Sequence, residues 1–158
     1  MAIRTIIIWL LFAATAFANQ KDINFIQKIN PKVEYNEALT ISNLTREYSS
    51  KYQLDPNLVL AIMGTESTFK KKAESYRKSI GYMQVHHSSW KDDKRYKMIV
   101  PNRNSLLIPR VNIEAGCYIL SELRKEDRNR YVSMYLGERN YQYIQKVKKN
   151  RELHRKGK

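Results

Sequence analysis

ESTFKKKAESYRKSIGYMQ, from Glu66 to Gln84, opens with a carboxylate at the end of an apolar run and closes in a glycine-led turn, Gly81-Tyr82-Met83-Gln84. The run before it, LDPNLVLAIMGT, carries a helix start signal. Asp55 can accept backbone N–H bonds of the first turn. Pro56 follows at the first helical position, where a missing N–H costs nothing. Val59, Ile62, Met63 and Glu66 fall at i, i+3, i+4 and i+7, the spacing of one helix face. Glu66 therefore sits on the stripe that faces a core. Partial loss of water there raises a carboxyl pKa, which makes Glu66 a candidate acid/base. Gly64 leaves room beside the helix. Gly81 permits a positive φ or a close backbone approach.

Working outward, residues 38–52 carry Leu39, Ile41, Leu44 and Tyr48 at roughly helical spacing and read as a helix. Residues 69–79, with the run Lys70-Lys71-Lys72, read as a loop with a short helical turn, and 82–90 as the start of a further helix. The charged segment 91–104 reads as a surface loop. Val111, Ala115, Tyr118, Ile119 and Leu123 give the next helix its apolar face. Gly116 in its middle costs about 1 kcal/mol against Ala and points to close helix–helix approach. Residues 130–147 read as two short helices broken at Gly137. With no convincing strand pair, the expected fold is mainly α: a compact helical domain with little or no β-sheet.

The 158 residues fit one domain large enough for a core of its own. One cysteine, Cys117, excludes an intrachain disulfide framework, and no Cys/His cluster has zinc spacing. Neither a metal nor a cofactor is expected. The net charge of +14 suits an anionic polymer partner such as nucleic acid, teichoic acid, phospholipid or peptidoglycan. Residues 1–18 narrow that choice. Arg4, the apolar run Ile6–Ala14 and the A-x-A pattern Ala16-Phe17-Ala18 form a secretory signal peptide with cleavage after Ala18. The run is short for a membrane span, which needs about 20 apolar residues. Any membrane contact is expected only through an uncleaved leader, and the location is secreted or periplasmic. A nucleic-acid partner is not expected, since no recognition motif accompanies the charge. The expected organisation is a signal peptide over 1–18, an N-terminal arm over 19–37, a catalytic domain over 38–148 and a basic tail over 149–158. Pro31 interrupts the arm, and its Ile23, Phe25, Ile26, Ile29 and Val33 are expected to pack on the domain.

At Glu66–Gln84 the chain resembles the soluble lytic transglycosylases, whose catalytic domain is related to goose-type lysozyme. That family's pattern, E-S-x-F-x-x-x-A-x-S followed by G-L-M-Q, is met by Glu66, Ser67, Phe69, Ala73, Ser75, Gly81, Met83 and Gln84. PRVNIEAGCYILSEL (109–123) is similar to its P-x-x-N-I-x-A-G segment. Tyr135-Leu136-Gly137 stands at its Tyr-Asn-x-Gly motif, and Tyr143-Ile144-Gln145-Lys146-Val147 at its closing Tyr-Val-x-x-Val. Together these cover about residues 40–148. Lys78-Ser79 replaces a Gly-Ala pair and Tyr82 a leucine, departures that bear on loop shape and substrate preference.

The resemblance implies cleavage of the MurNAc–GlcNAc bond of peptidoglycan with 1,6-anhydro-MurNAc formation. Glu66 is then the single acid/base, and peptidoglycan glycan strands are the partner. It further implies that Ser75 and Gln84 hydrogen-bond the sugar or its substituents and that Tyr135 orients Glu66. Tyr143 and Trp90 are candidates for stacking on sugar faces. Lys70–Lys72, Lys78 and the basic tail are candidates for attracting stem-peptide carboxylates or anionic envelope polymers. An envelope-spanning secretion or phage machinery is a further partner of such enzymes. Two alternatives share the motif: a muramidase that uses water, and a non-catalytic wall-binding assembly factor. Plainer roles stand beside these: core aromatics for Tyr135 and Tyr143, loop hydrogen bonds for Ser75 and Gln84, structural or surface positions for His86 and His87, and a small buried side chain for Cys117.

Overall fold

A computed structural model describes residues 19–137 and 141–157; the leader over 1–18 lies outside them. The chain is helical from residue 19 to residue 29 (α1). It continues through α2 (Tyr35–Lys51), α3 (Pro56–Glu66), α4 (His87–Trp90), α5 (Lys94–Ile99), a 3-10 turn (Arg103–Leu107), α6 (Pro109–Glu126), α7 (Tyr131–Tyr135) and α8 (Tyr141–Lys156). Among the described residues there is no named strand; pairing is limited to the isolated bridges Glu74–Ile80 and Ile80–Val85. The mainly helical fold is as the sequence pattern implies.

The helix before Glu66 is the centre of the molecule. Asp55 caps it, its side chain accepting from the Asn57 N–H at 2.9 Å, with Pro56 in the first turn. Leu58 through Thr65 are all buried. The helix is thus covered around its circumference, not along one stripe, as befits a helix apolar on every side. Each large apolar side chain removed from water there contributes on the order of 2 kcal/mol. α8 packs along one side. Gly64 makes room: a Cβ there would lie 3.4 Å from Asn150 Nδ2, and the same amide donates to Thr65 Oγ1 at 3.1 Å.

Three segments differ from expectation. The arm over 19–37 packs on the domain as expected, with Ile23, Phe25, Ile26 and Val33 buried and Ile29 partly buried, but its residues 19–29 form a helix, α1. Its Asp22, fully buried, accepts from Ser42 Oγ at 2.6 Å and Arg46 Nε at 2.8 Å, and lies 2.8 Å from His154 Nε2. Asn30 donates to the Thr68 carbonyl at 2.9 Å, and Phe25 meets Phe69 edge-on at 5.9 Å, so the arm braces the chain just beyond Glu66. The basic tail over 149–158 begins inside α8; Asn150 and His154 give it a buried seam that its cationic composition conceals. Within 91–104, Asp93 caps a short helix by accepting from the Tyr96 N–H, and Tyr96 is buried.

Candidate active site

α3 ends at Glu66, and the end is fixed from both sides. Buried Ser67 donates from Oγ to the Tyr82 carbonyl at 2.8 Å, tying the helix terminus to the glycine-led turn. That turn closes through the Ile80 N–H to Val85 O bond (3.1 Å) and its reciprocal (3.0 Å). Asn112 of α6 holds it from beneath, accepting from the Met83 N–H at 2.8 Å and donating to Ile80 O at 2.8 Å and Leu106 O at 3.0 Å. Gly81 has φ +76°, and a Cβ there would fall 2.3 Å from Asn112 Nδ2. Both reasons for a glycine apply at once. Gly116 also answers to the turn: a Cβ there would meet Met83 at 2.7 Å. The close approach expected at Gly116 is to a side chain of the turn and not to a second helix.

A cleft of about 430 Å³ opens at this junction. Glu66, Gln84, Trp90 and Tyr135 line it together. Among the described residues lining it, Glu66 is the only carboxyl. Burial pushes its pKa up from 4.5 to about 7, against the opposing charge of Lys146 on α8. Its place at the carbonyl end of α3 acts in the same sense as burial, since a helix C-terminus disfavours negative charge. The side chain makes no hydrogen bond with the described residues, so its proton is available to a ligand.

Gln84 sits at φ +48° and donates its amide hydrogens to Ala73 O (3.1 Å) and Gly81 O (3.0 Å). Its side-chain oxygen remains as an acceptor at the cleft. Tyr135 does not hydrogen-bond Glu66; its hydroxyl donates to Met83 O at 2.7 Å. Burial first, then the Glu66 charge, raise the Tyr135 pKa well above its usual value. The phenol therefore stays neutral beside the acid. Trp90 and Tyr118 meet in a T-shaped pair at 6.2 Å between ring centres.

The other candidates lie elsewhere. Ser75 does not line this cleft; its Oγ accepts from the Ser79 N–H at 3.1 Å, which organises a turn. Tyr143 is exposed on α8 and likewise does not line it. Of the family departures, Ser79 lines the cleft, whereas Lys78 faces Glu74 at 3.7 Å. Tyr82 is buried and donates from its hydroxyl to Glu37 on α2 at 2.6 Å, so it is a tie between elements and not a substrate contact. Ile119 and Leu123 of α6 and Met134 and Leu136 around α7 also line the cleft. Nothing in their apolar periodicity separates them from core residues. Arg77 was readable only as one of several loop cations.

The transglycosylase SLT domain model matches residues 43–151. A membrane-bound lytic murein transglycosylase C of Salmonella arizonae is 43% identical over 83 residues, covering 51% of this chain and 23% of that protein. Its counterpart in Cronobacter sakazakii is 42% identical over 97 residues, covering 60% of this chain and 25% of that protein. The one in Klebsiella pneumoniae is 42% identical over 83 residues. The match thus spans about a quarter of the length of these relatives.

Proposed function

This chain belongs to the transglycosylase SLT domain family, and on that premise we propose that it is a peptidoglycan lytic transglycosylase with Glu66 as its single acid/base. The observation that carries the reading is a lone, half-buried carboxyl in a cleft, with its pKa at about 7. An acid that must later act as base works best with a pKa near the working pH.

The steps follow from one carboxyl. Protonated Glu66 gives its proton to the oxygen linking MurNAc C1 to the next sugar, and that bond breaks. The acetamido oxygen of the same MurNAc supports C1 as positive charge develops, the part a second carboxylate plays in most glycosidases. Glu66, now a carboxylate, takes the proton of the C6 hydroxyl as its oxygen bonds to C1. The acid is regenerated, and the product is a 1,6-anhydro sugar formed without water. Gln84 offers its carbonyl oxygen to an N–H or hydroxyl of the bound sugar. Trp90 offers an aromatic surface, and Tyr135 holds the Met83 carbonyl, and with it the turn, beside the acid.

Residues 1–18 act in this reading as a secretion signal cleaved after Ala18, delivering the enzyme to the envelope where its substrate lies. The relatives' own name, membrane-bound lytic murein transglycosylase C, supports an envelope location. No helix among the described residues is long and apolar enough to cross a membrane. Mass spectrometry of muropeptides released by the purified protein tests the reaction type. Anhydro-MurNAc ends, one water lighter than reducing ends, are expected. Reducing ends alone would instead make the protein a muramidase.

A further inference from the structure

The turn that Ser75 organises presents two side chains that the motif does not explain. The Lys78 N–H donates to Ser75 O at 2.8 Å, making Tyr76 and Arg77 the central residues of a β-turn. The Ser75 N–H donates to Ser79 O at 3.0 Å, and the Ser79 N–H to Ser75 Oγ at 3.1 Å. Below the turn, Glu74 bridges to Ile80 and is held by Arg103 at 2.7 Å and Lys78 at 3.7 Å. The result is a braced finger at the cleft rim. Tyr76 is fully exposed at its tip. Arg77 lines the same cleft as Glu66. It has no acid or carbonyl partner among the described residues, whereas its neighbour Lys78 is engaged by Glu74. Arg77 is exposed, and the cation that lowers the Glu66 pKa is Lys146 on α8.

A guanidinium facing a glycan cleft can donate to sugar hydroxyl and acetamido oxygens, but these are neutral and offer it no opposite charge. Where a stem peptide is attached, the lactyl carboxyl is consumed in its amide link, and the free carboxylates of the substrate are those of the peptide. A guanidinium fork matches a carboxylate in two parallel hydrogen bonds. We propose that Arg77, presented by the Ser75–Ser79 turn, is a specificity-determining residue that binds a carboxylate of the substrate's stem peptide, so that the enzyme prefers peptide-bearing, carboxylate-rich murein. This rests on the glycan-cleaving reading above and assigns Arg77 to substrate choice, not to bond cleavage.

The test compares murein with the same murein after its free carboxyls have been converted to methylamides. Wild-type protein is expected to show a kcat/KM about tenfold higher on the untreated substrate, the low end for a charge-assisted hydrogen bond at an exposed rim. Arg77→Gln should erase that preference by lowering the rate on untreated murein to the amidated level, and Arg77→Lys should keep part of it. An unchanged preference in Arg77→Gln, or an equal loss on both substrates, would overturn the assignment. Binding of a soluble peptide-bearing muropeptide and its amidated form, followed by fluorescence anisotropy, reads the same preference without turnover. A binding preference that depends on Arg77 in a protein yielding no anhydro product would sink the transglycosylase reading and leave Arg77 standing.

Discussion

Replacing Glu66 by glutamine should stabilise this protein at neutral and alkaline pH. The carboxyl titrates near 4.5 in the unfolded chain and at about 7 in the fold, because burial penalises its charged form. Between those values the native state holds a proton that the unfolded state releases. Stability therefore falls as pH rises: the favourable contribution is complete below about 4.5 and is lost as pH passes through about 7. A shift of this size is worth about 3 kcal/mol at 1.36 kcal/mol per unit, and contact with an open cleft reduces it to roughly 2 kcal/mol. Glutamine keeps the shape and removes the charge. The expected result at pH 8 is a variant more stable than wild type by about 2 kcal/mol, or roughly 5 °C in Tm. The difference should shrink toward zero by pH 4, where both side chains are neutral. Urea unfolding at pH 4, 6 and 8, with m-values compared to confirm the same transition, reads this directly. Equal stability at pH 8, or a gap that widens toward acid, would refute the desolvation of Glu66 on which the acid/base role depends. Such a gain would fit a site whose chemistry is kept at a cost in stability.

Other consequences follow from the same geometry. Lys146→Met removes the positive charge that pulls the Glu66 pKa down, so the pH–activity profile should move to higher pH; an acid shift or none would remove Lys146 from the electrostatics of the site. Asn112→Ala strips three hydrogen bonds from the glycine-led turn and should cost about 3 kcal/mol in denaturant unfolding with loss of activity; a cost under about 0.5 kcal/mol would show that the turn holds without it. Tyr135→Phe leaves the Met83 carbonyl without its phenolic donor and should lower kcat more than it raises KM. A change confined to KM would make Tyr135 a substrate contact instead.

How far the site could be read in advance depended on whether its parts are neighbours in sequence. The Asp55 cap, Pro56, the apolar helix and Glu66 at its end are local features with local causes, and they stand where the pattern puts them. The glycine at 81 was readable as special, but its reason, the Asn112 side chain threaded through the turn, comes from 31 residues away. The cleft's apolar wall, Ile119 and Leu123, has the same periodicity as core and could not be told from it. Ser75 fits the family motif, yet its hydroxyl serves the turn that carries Arg77. The helical character of residues 19–29 and of the basic end was hidden because buried polar residues, Asp22, Asn150 and His154, help to anchor both segments, beside Ile23, Phe25 and Ile26 in the first. Such anchoring is a property of partners far apart in the chain, here α1 with α2 and α8.

The most direct test of the central claim is the yield of anhydro-muropeptides from murein by wild type and by Glu66→Gln, with folding of both verified by circular dichroism. The expected result is anhydro-ended product from wild type and a loss of at least about a thousandfold in the variant, since Glu66 is the only carboxyl among the described residues that line the cleft. Wild-type yield from a folded Glu66→Gln protein would contradict it.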